Sequence, residues 1–502
     1  MDPRTAYDWL AEHSRTSNYL ASMGALLYWD QRTGIPPKGS AHRNEQLAVL
    51  ARLLHQRGTD PARGEALANA EAGDLAADPL SPEAVNLREW RRCFDRTVKI
   101  PERLAVAMAR AVAEAENAWE AARPANDWAA FMPHLEKVLG LKREEAEAVG
   151  YADEPYDALL DEYEPGETAK ELEPVFARLR DAASGLVARL AQAPRQPDPG
   201  ILGRGFDKAR QEAFLRRAIA AIGFDFEGGR LDVSAHPFST TIGPGDQRIT
   251  TRFSDTRFAD AFFGSVHEAG HSMYEAGLPP EHWGTPLGGA VSLGVHESQS
   301  RMWENMVARS AGFWLHFFGP AREAFPELAD VGFDDFLLAV NEVRPSLIRV
   351  EADEVTYNLH VLLRFELELA LMRGDLAVAD LPGAWSEKMR TYLGIEPDCV
   401  GNGCMQDVHW SAGLIGYFPT YTLGNLYAAQ FFAKAEADLG DLASMFARGE
   451  FAPLLGWLRT HIHSQGSRLW PRDLVRTVTG EGLNPACLIA YQERKYGELY
   501  GL

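Results

Sequence analysis

Residues 258–274 read FADAFFGSVHEAGHSMY, and the rest of the chain is best understood outward from them. Phe262, Phe263, Val266, Met273 and Tyr274 would give a helix here its buried bulk. Within the run, residues 267–271 form an H-E-x-x-H motif. Positions i and i+4 of a helix share a face, so His267 and His271 can reach one metal ion. Glu268 then stands where it can take a proton from a water on that ion. The plain alternative is a pair of satisfied histidines on a packed helix. The match itself argues against it, because with 14 histidines in the chain an H-E-x-x-H is rare by chance.

Catalytic zinc commonly takes three protein ligands and leaves a fourth position open. The third must come from downstream, where His282, His296, Glu297 and Glu304 are the candidates. A third histidine six residues past His271 is excluded, because that position is Gly277. An uncharged glycine-rich segment, WGTPLGGAVSLGV (283–295), follows, and HESQSRMWENMVARS (296–310) then reads as a second helix. Glu297 is the preferred third ligand, completing a His₂Glu set, with His296 next.

Farther out, helical periodicity dominates: 103–122 after Pro101, 171–191, and 360–373 ending at Gly374. The Pro- and Gly-rich stretch 193–205 reads as a connector between a helical half, 1–195, and a half carrying the metal motif, 206–502. Strand signals are confined to 230–253, two short runs around Gly243-Pro244-Gly245 that suggest a hairpin or small sheet. The fold class is mainly α with a minor β element.

Composition narrows the function. The 502 residues hold 50 Lys and Arg against 71 Asp and Glu, a net charge of −21 that disfavours nucleic acid as a partner. Four cysteines make no disulfide framework, and Cys399 with Cys404 lacks the second pair that a thiolate metal site needs. The first 20 residues show no secretory pattern. Residues 408–433 carry no Asp, Glu, Lys or Arg, but His409, Pro419, Asn425 and Gln430 suit a buried wall better than a membrane span. A cytoplasmic location is expected.

Six segments occur in order, the metal motif among them: HPF (236–238), DQRIT (246–250), HEAGH (267–271), HESQSR (296–301), IRVEAD (348–353) and GCMQDVHW (403–410). Together they resemble the metallocarboxypeptidases of the carboxypeptidase Taq family, peptidase family M32. LLYWDQRTGIPPKG (26–39) and PYDALLDEYEPG (155–166) extend the likeness over nearly the whole chain. The resemblance implies release of single C-terminal amino acids with broad specificity, prolyl bonds disfavoured, and one Zn²⁺ or Co²⁺ per chain. It also implies a homodimer and a helical zincin-type fold with a long deep groove, like neurolysin and angiotensin-converting enzyme. On that view 1–502 is one catalytic unit whose halves flank the groove.

An exopeptidase needs a cation for the substrate's terminal carboxylate. Arg349 in IRVEAD is the first choice, unless it serves Asp353 or Glu351 structurally, and Arg248 in DQRIT is the second. His409 and Tyr421 are candidate donors to the oxyanion. His236 could donate to the bound peptide backbone, beside a strand edge that aligns it. Asp246 and Asp407 are candidates to fix a ligand imidazole, or equally only to anchor turns. His461 and His463 have no carboxylate beside them and make a poor metal pair. The rival readings are an oligopeptidase that cuts inside short peptides, a non-catalytic helical scaffold, and an aminopeptidase, for which no GxMEN-like segment appears near the motif.

Overall fold

The alanine- and leucine-rich periodicities become helices in the computed structural model, which describes all of residues 1–502. The expected segments appear as Glu102–Ala125, Ala169–Leu190 and Thr356–Arg373. Gly374 ends the last of these at φ 84°, the left-handed conformation in which glycine costs least. Asn126 does the same for Glu102–Ala125 at φ 55°, as the one non-glycine residue with positive φ.

A main core, a satellite core and a three-residue cluster of Ala111, Ala115 and Val138 hold these helices. The helix Pro3–Thr33, with Pro61–Glu71 and Pro82–Lys99, builds a satellite core of nine residues around Tyr7, Leu10, Leu67 and Trp90. Ser40–Gly58, lying against the first helix, buries no side chain at all. The main core is a cluster of 98 buried residues running from Ala122 to Tyr500. The connector 193–205 is packed into it through Ala193 and Ile201, and the Arg195 N–H donates to the Tyr500 carbonyl at 3.2 Å.

The expected β element is a three-stranded sheet. β2 (Ser239–Gly243) and β3 (Asp246–Thr251) form an antiparallel hairpin around Pro244-Gly245. β1 (Gly229–Val233) joins β3 in parallel, so the order is β1-β3-β2 and β2 is an edge strand. The helix Phe258–Glu275 packs on β3 and β2, with Ser272 Oγ 3.0 Å from Ser239 Oγ. The uncharged stretch becomes a turn-rich loop leading into the largely buried helix Pro419–Leu439. No helix is long and apolar enough to cross a membrane.

Candidate metal centre

Helix Phe258–Glu275 turns its phenylalanines into the core and leaves His267 and His271 on one partly open face. The helix Leu293–Arg301, started by Ser292 accepting from the Val295 N–H, crosses it closely. That approach requires Gly270: a Cβ there would sit 2.7 Å from Ser300 Cα and 2.8 Å from the Gln299 carbonyl oxygen. On the opposite side, helix Pro419–Leu439 presents Gly424, where a Cβ would lie 2.5 Å from Glu297 Cγ. Glu297 is therefore wedged between two helices that are bare at their contacts.

His267, His271 and Glu297 bring one donor atom each to within 4.8 Å of one another. Glu297 Oε2 is 3.6 Å from His267 Nε2 and 3.4 Å from His271 Nε2. The other ring nitrogens are already engaged. His267 Nδ1 is 3.0 Å from Glu304 Oε2, and His271 Nδ1 is 2.6 Å from His296 Nδ1, whose Nε2 is 3.0 Å from Glu275 Oε1. These contacts place each ligand's proton on Nδ1 and aim both Nε2 lone pairs at the common point. Two imidazoles and a carboxylate with a free face fit a divalent zinc-like ion. Glu304 and His296, considered as ligands, instead contact the Nδ1 atoms of His267 and His271. His282 lies in the turn Pro280–His282, outside the cluster.

Charge around the cluster is balanced by arginine. Arg301 Nε donates to Glu297 Oε1 at 2.7 Å, and its Nη1 lies 3.3 Å from Glu304 Oε2. Burial alone would raise the Glu297 carboxyl, but Arg301 and His267 hold it well below the usual range. Glu304 lies within a π-helical segment, Met302–Ala308, whose extra residue per turn re-aims side chains after Arg301. Burial pushes Glu268 up to about 7, against the pull of His267 and helped by Glu297 and Glu304. A bound cation would draw that value back down.

A second cluster adjoins the first. Arg349 is 5% exposed. Its Nε and Nη2 donate to Asp407 Oδ1 at 3.1 and 2.9 Å, and its Nη1 donates to Tyr357 Oη at 2.9 Å. Arg364 Nε donates to Asp407 Oδ2 at 2.7 Å. Two guanidiniums thus share one carboxylate, and two of Arg349's five N–H donors remain unspent. The Arg349 guanidinium also lies 4.9 Å from the Tyr421 ring centroid, and His409 Nε2 is 3.2 Å from Tyr421 Oη. Burial and Arg349 hold His409 down to about 4, so its imidazole is neutral at pH 7. Tyr357 joins the two clusters, since the Arg301 guanidinium sits 4.1 Å over its ring.

Several expectations need correction. Asp407 touches no ligand imidazole and is the shared acceptor of Arg349 and Arg364. Asp246 likewise fixes no imidazole, because both its oxygens accept from Arg248 at 2.8 Å. Arg248 is further held 4.4 Å over the Trp29 ring, in a contact of its own beside the sheet. The structural partners weighed for Arg349 are engaged elsewhere. Asp353 caps the helix start at Val355 and Thr356, and Glu351 lies 3.6 Å from Arg257. His236 is exposed in the loop between β1 and β2, where its carbonyl accepts from Ser234 Oγ. His463 is buried against Gln299 Oε1 at 3.0 Å, whereas His461 is exposed. All four cysteines are free.

Arg301, Tyr357 and Arg364 were not singled out in the sequence. Arg301 had a readable signal, four residues beyond Glu297 on a helix. Tyr357 and Arg364 join only through tertiary packing.

Alongside β2 runs a cavity of about 560 Å³, lined in part by Asn18, Thr241, Ile242, Ser272, Glu275 and Trp283. It starts one residue past His271 and includes Glu275, the far end of the His296 bridge.

Comparison with known proteins agrees over the whole chain. The family model described as carboxypeptidase Taq (M32) metallopeptidase matches residues 9–496. The chain is 57% identical to thermostable carboxypeptidase 1 of Thermus thermophilus, covering 100% of both chains. It is 39% identical to carboxypeptidase 1 of Bacillus subtilis over 97% of each. The crystal structure of the M32 carboxypeptidase from Deinococcus radiodurans superposes with a TM-score of 0.96 at 42% identity, covering 99% of this chain and 100% of that one.

Proposed function

Because the chain belongs to the carboxypeptidase Taq (M32) family and is a metallocarboxypeptidase, we propose that it removes single C-terminal residues from peptides at the centre formed by His267, His271 and Glu297. The observation that carries this assignment is the convergence of those three donors beside Glu268, with both imidazoles oriented from behind. A bound Zn²⁺ or Co²⁺ would polarise the scissile carbonyl and acidify the attacking water.

Glu268 accepts the water proton and passes it to the leaving amine. His409 Nε2 lies 3.2 Å from Tyr421 Oη, and in the Nε2–H tautomer it donates there and leaves the Tyr421 hydroxyl hydrogen for the oxyanion. Tyr421 and Tyr417 both feel the charge of Glu297, which supports their nearness to the reacting carbonyl. Arg349 binds the substrate carboxylate with its spare donors, and the surplus positive charge of its cluster supports that role. At 5% exposure it is reached only when the groove opens. Upstream residues of an extended peptide add to the free edge of β2, with His236 at the approach.

The wider reading is a single zincin-type unit of 1–502, related in shape to neurolysin and angiotensin-converting enzyme. It has broad specificity, disfavours prolyl bonds and acts as a homodimer in the cytoplasm, a reducing compartment that the four free thiols suit. The test is one short peptide as free acid and as C-terminal amide, run as purified, after chelation and after adding back Zn²⁺ or Co²⁺. Stepwise release from the free acid alone, lost on chelation and restored by metal, is the expected result. Equal cleavage of both forms would make the enzyme an oligopeptidase and remove Arg349's role.

A further inference from the structure

Helix Leu293–Arg301 carries Glu297 in its second turn, so the position of its first turn fixes where that carboxylate sits. The first N–H groups of a helix have no partner within it. Here each finds one. Val295 N–H donates to Ser292 Oγ at 3.0 Å, and His296 N–H to the Ser292 carbonyl at 3.1 Å. The other two are met by a segment about 130 residues earlier in the chain. Leu293 N–H donates to the Tyr163 carbonyl at 3.1 Å, and Gly294 N–H to Glu164 Oε2 at 2.9 Å.

Glu164 is wholly buried. Its Oε1 accepts from the capping hydroxyl of Ser292 and from Tyr427 Oη, both at 2.9 Å. Tyr427 lies on the helix that carries Tyr421 and backs Glu297 through Gly424. Gly294 leaves no room for adjustment, because a Cβ there would meet Glu164 Oε2 at 2.6 Å. No arginine, lysine or histidine contacts this carboxyl, so it forms no ion pair, and its bonds all go to the elements that frame Glu297.

We propose that Glu164 is a positioning residue for the metal centre, which fixes the start of the Glu297 helix and so the place of the third metal ligand. The inference rests on His267, His271 and Glu297 being the ligands. Burial, with Glu167 adding its charge, pushes the Glu164 carboxyl up to about 8, so at neutral pH it is mostly the uncharged acid. Its proton then bonds one of the two hydroxyls, each of which can accept as well as donate. Glutamine reproduces that pattern: its oxygen faces Gly294 N–H and its amide donates to Ser292 and Tyr427. Leucine fills similar space and bonds nothing.

The test compares Glu164→Gln, Glu164→Leu and the wild type by competition of the metal-free proteins with a chelator for Zn²⁺, with near-ultraviolet circular dichroism to check the fold. Leu186→Ala, in the core helix Ala169–Leu190, serves as a destabilised control away from the site. We expect Glu164→Leu to weaken Zn²⁺ binding about 10- to 100-fold, as for other groups that orient ligands from behind. Turnover should fall through kcat with KM nearly unchanged, Glu164→Gln should stay within about threefold of wild type, and the control should bind normally. Wild-type affinity in a folded Glu164→Leu overturns the proposal while leaving the metal ligands in place. An equal loss in the control, or a Glu164→Gln as weak as the leucine variant, also overturns it. A wild-type chain that takes up no Zn²⁺ overturns both this inference and the ligand assignment. Should Glu164→Leu fail to fold, Tyr427→Phe with Ser292→Ala removes both hydroxyls, and unchanged affinity in that pair overturns the proposal equally.

Discussion

The metal centre and the Arg349 cluster lie side by side and are unbalanced in opposite senses. Around the first, Glu268, Glu297 and Glu304 face two arginines, Arg301 and Arg309, so the site gains from a cation. In the second, Arg349 and Arg364 share Asp407 alone, so the site gains from an anion. Tyr357 bridges them through Arg301 and Arg349. A metal ion and a peptide's terminal carboxylate would complete the pair.

Removing the base breaks the metal side most sharply. Glu268→Gln should lower kcat by about 10²–10⁴-fold while zinc content, read by atomic absorption, stays at the wild-type level. On the other side, Asp407→Asn leaves two buried guanidiniums without a counter-charge and should cost about 3–5 kcal/mol in denaturant unfolding.

That variant also has a pH signature. Burial pushes the Asp407 carboxyl up from 3.8, but Arg364 and Arg349 outweigh it and hold the group well below the usual range. A lowered folded value stabilises above the unfolded one and loses that contribution as pH falls. Wild-type stability should therefore decline below about pH 4 partly through this group, and Asp407→Asn should show a shallower decline over the same window.

Arg349→Lys keeps the charge but not the fork. It should lower kcat/KM for free-acid peptides by about 10- to 100-fold, chiefly through KM, with metal content unchanged. Glu304→Gln should weaken zinc binding about tenfold, because His267 then loses its charged partner; chelator competition reads this. His461→Ala should change neither activity nor metal content, since that side chain is exposed and lies outside the donor cluster.

The two regions also differ in how far their sequences reveal them. His267 and His271 are four residues apart on one helix, with Glu268 next to the first, and Glu297 sits in a later helix, so periodicity and ligand chemistry suggest the donor set that converges. The Arg349 cluster draws on a short turn, the helix Thr356–Arg373, the loop at 403–410 and the helix Pro419–Leu439. No local pattern links Asp407 to Arg364; only the close approach of two buried segments does. For the same reason the sequence leaves open whether Asp246 and Asp407 fix an imidazole or anchor turns, because an aspartate in a motif does not show which way it faces. The sheet was half legible: the Gly-Pro-Gly turn announces β2 and β3, but the parallel pairing of β1 is a tertiary choice. Glu164 belongs with the unreadable residues, its partners being about 130 and 260 positions away.

Gly270 and Gly424 together act as a gauge block. They set the width of the slot holding Glu297, with backbone on one side and a bare Cα on the other. Metal–oxygen bonds near 2 Å tolerate errors of only about 0.2 Å, whereas a single added methyl at either glycine would force a displacement several times larger. For the proposed ligand set, the dimension of the coordination sphere is thus machined into the main chain, and a lineage that replaced either glycine would have to recut the whole slot.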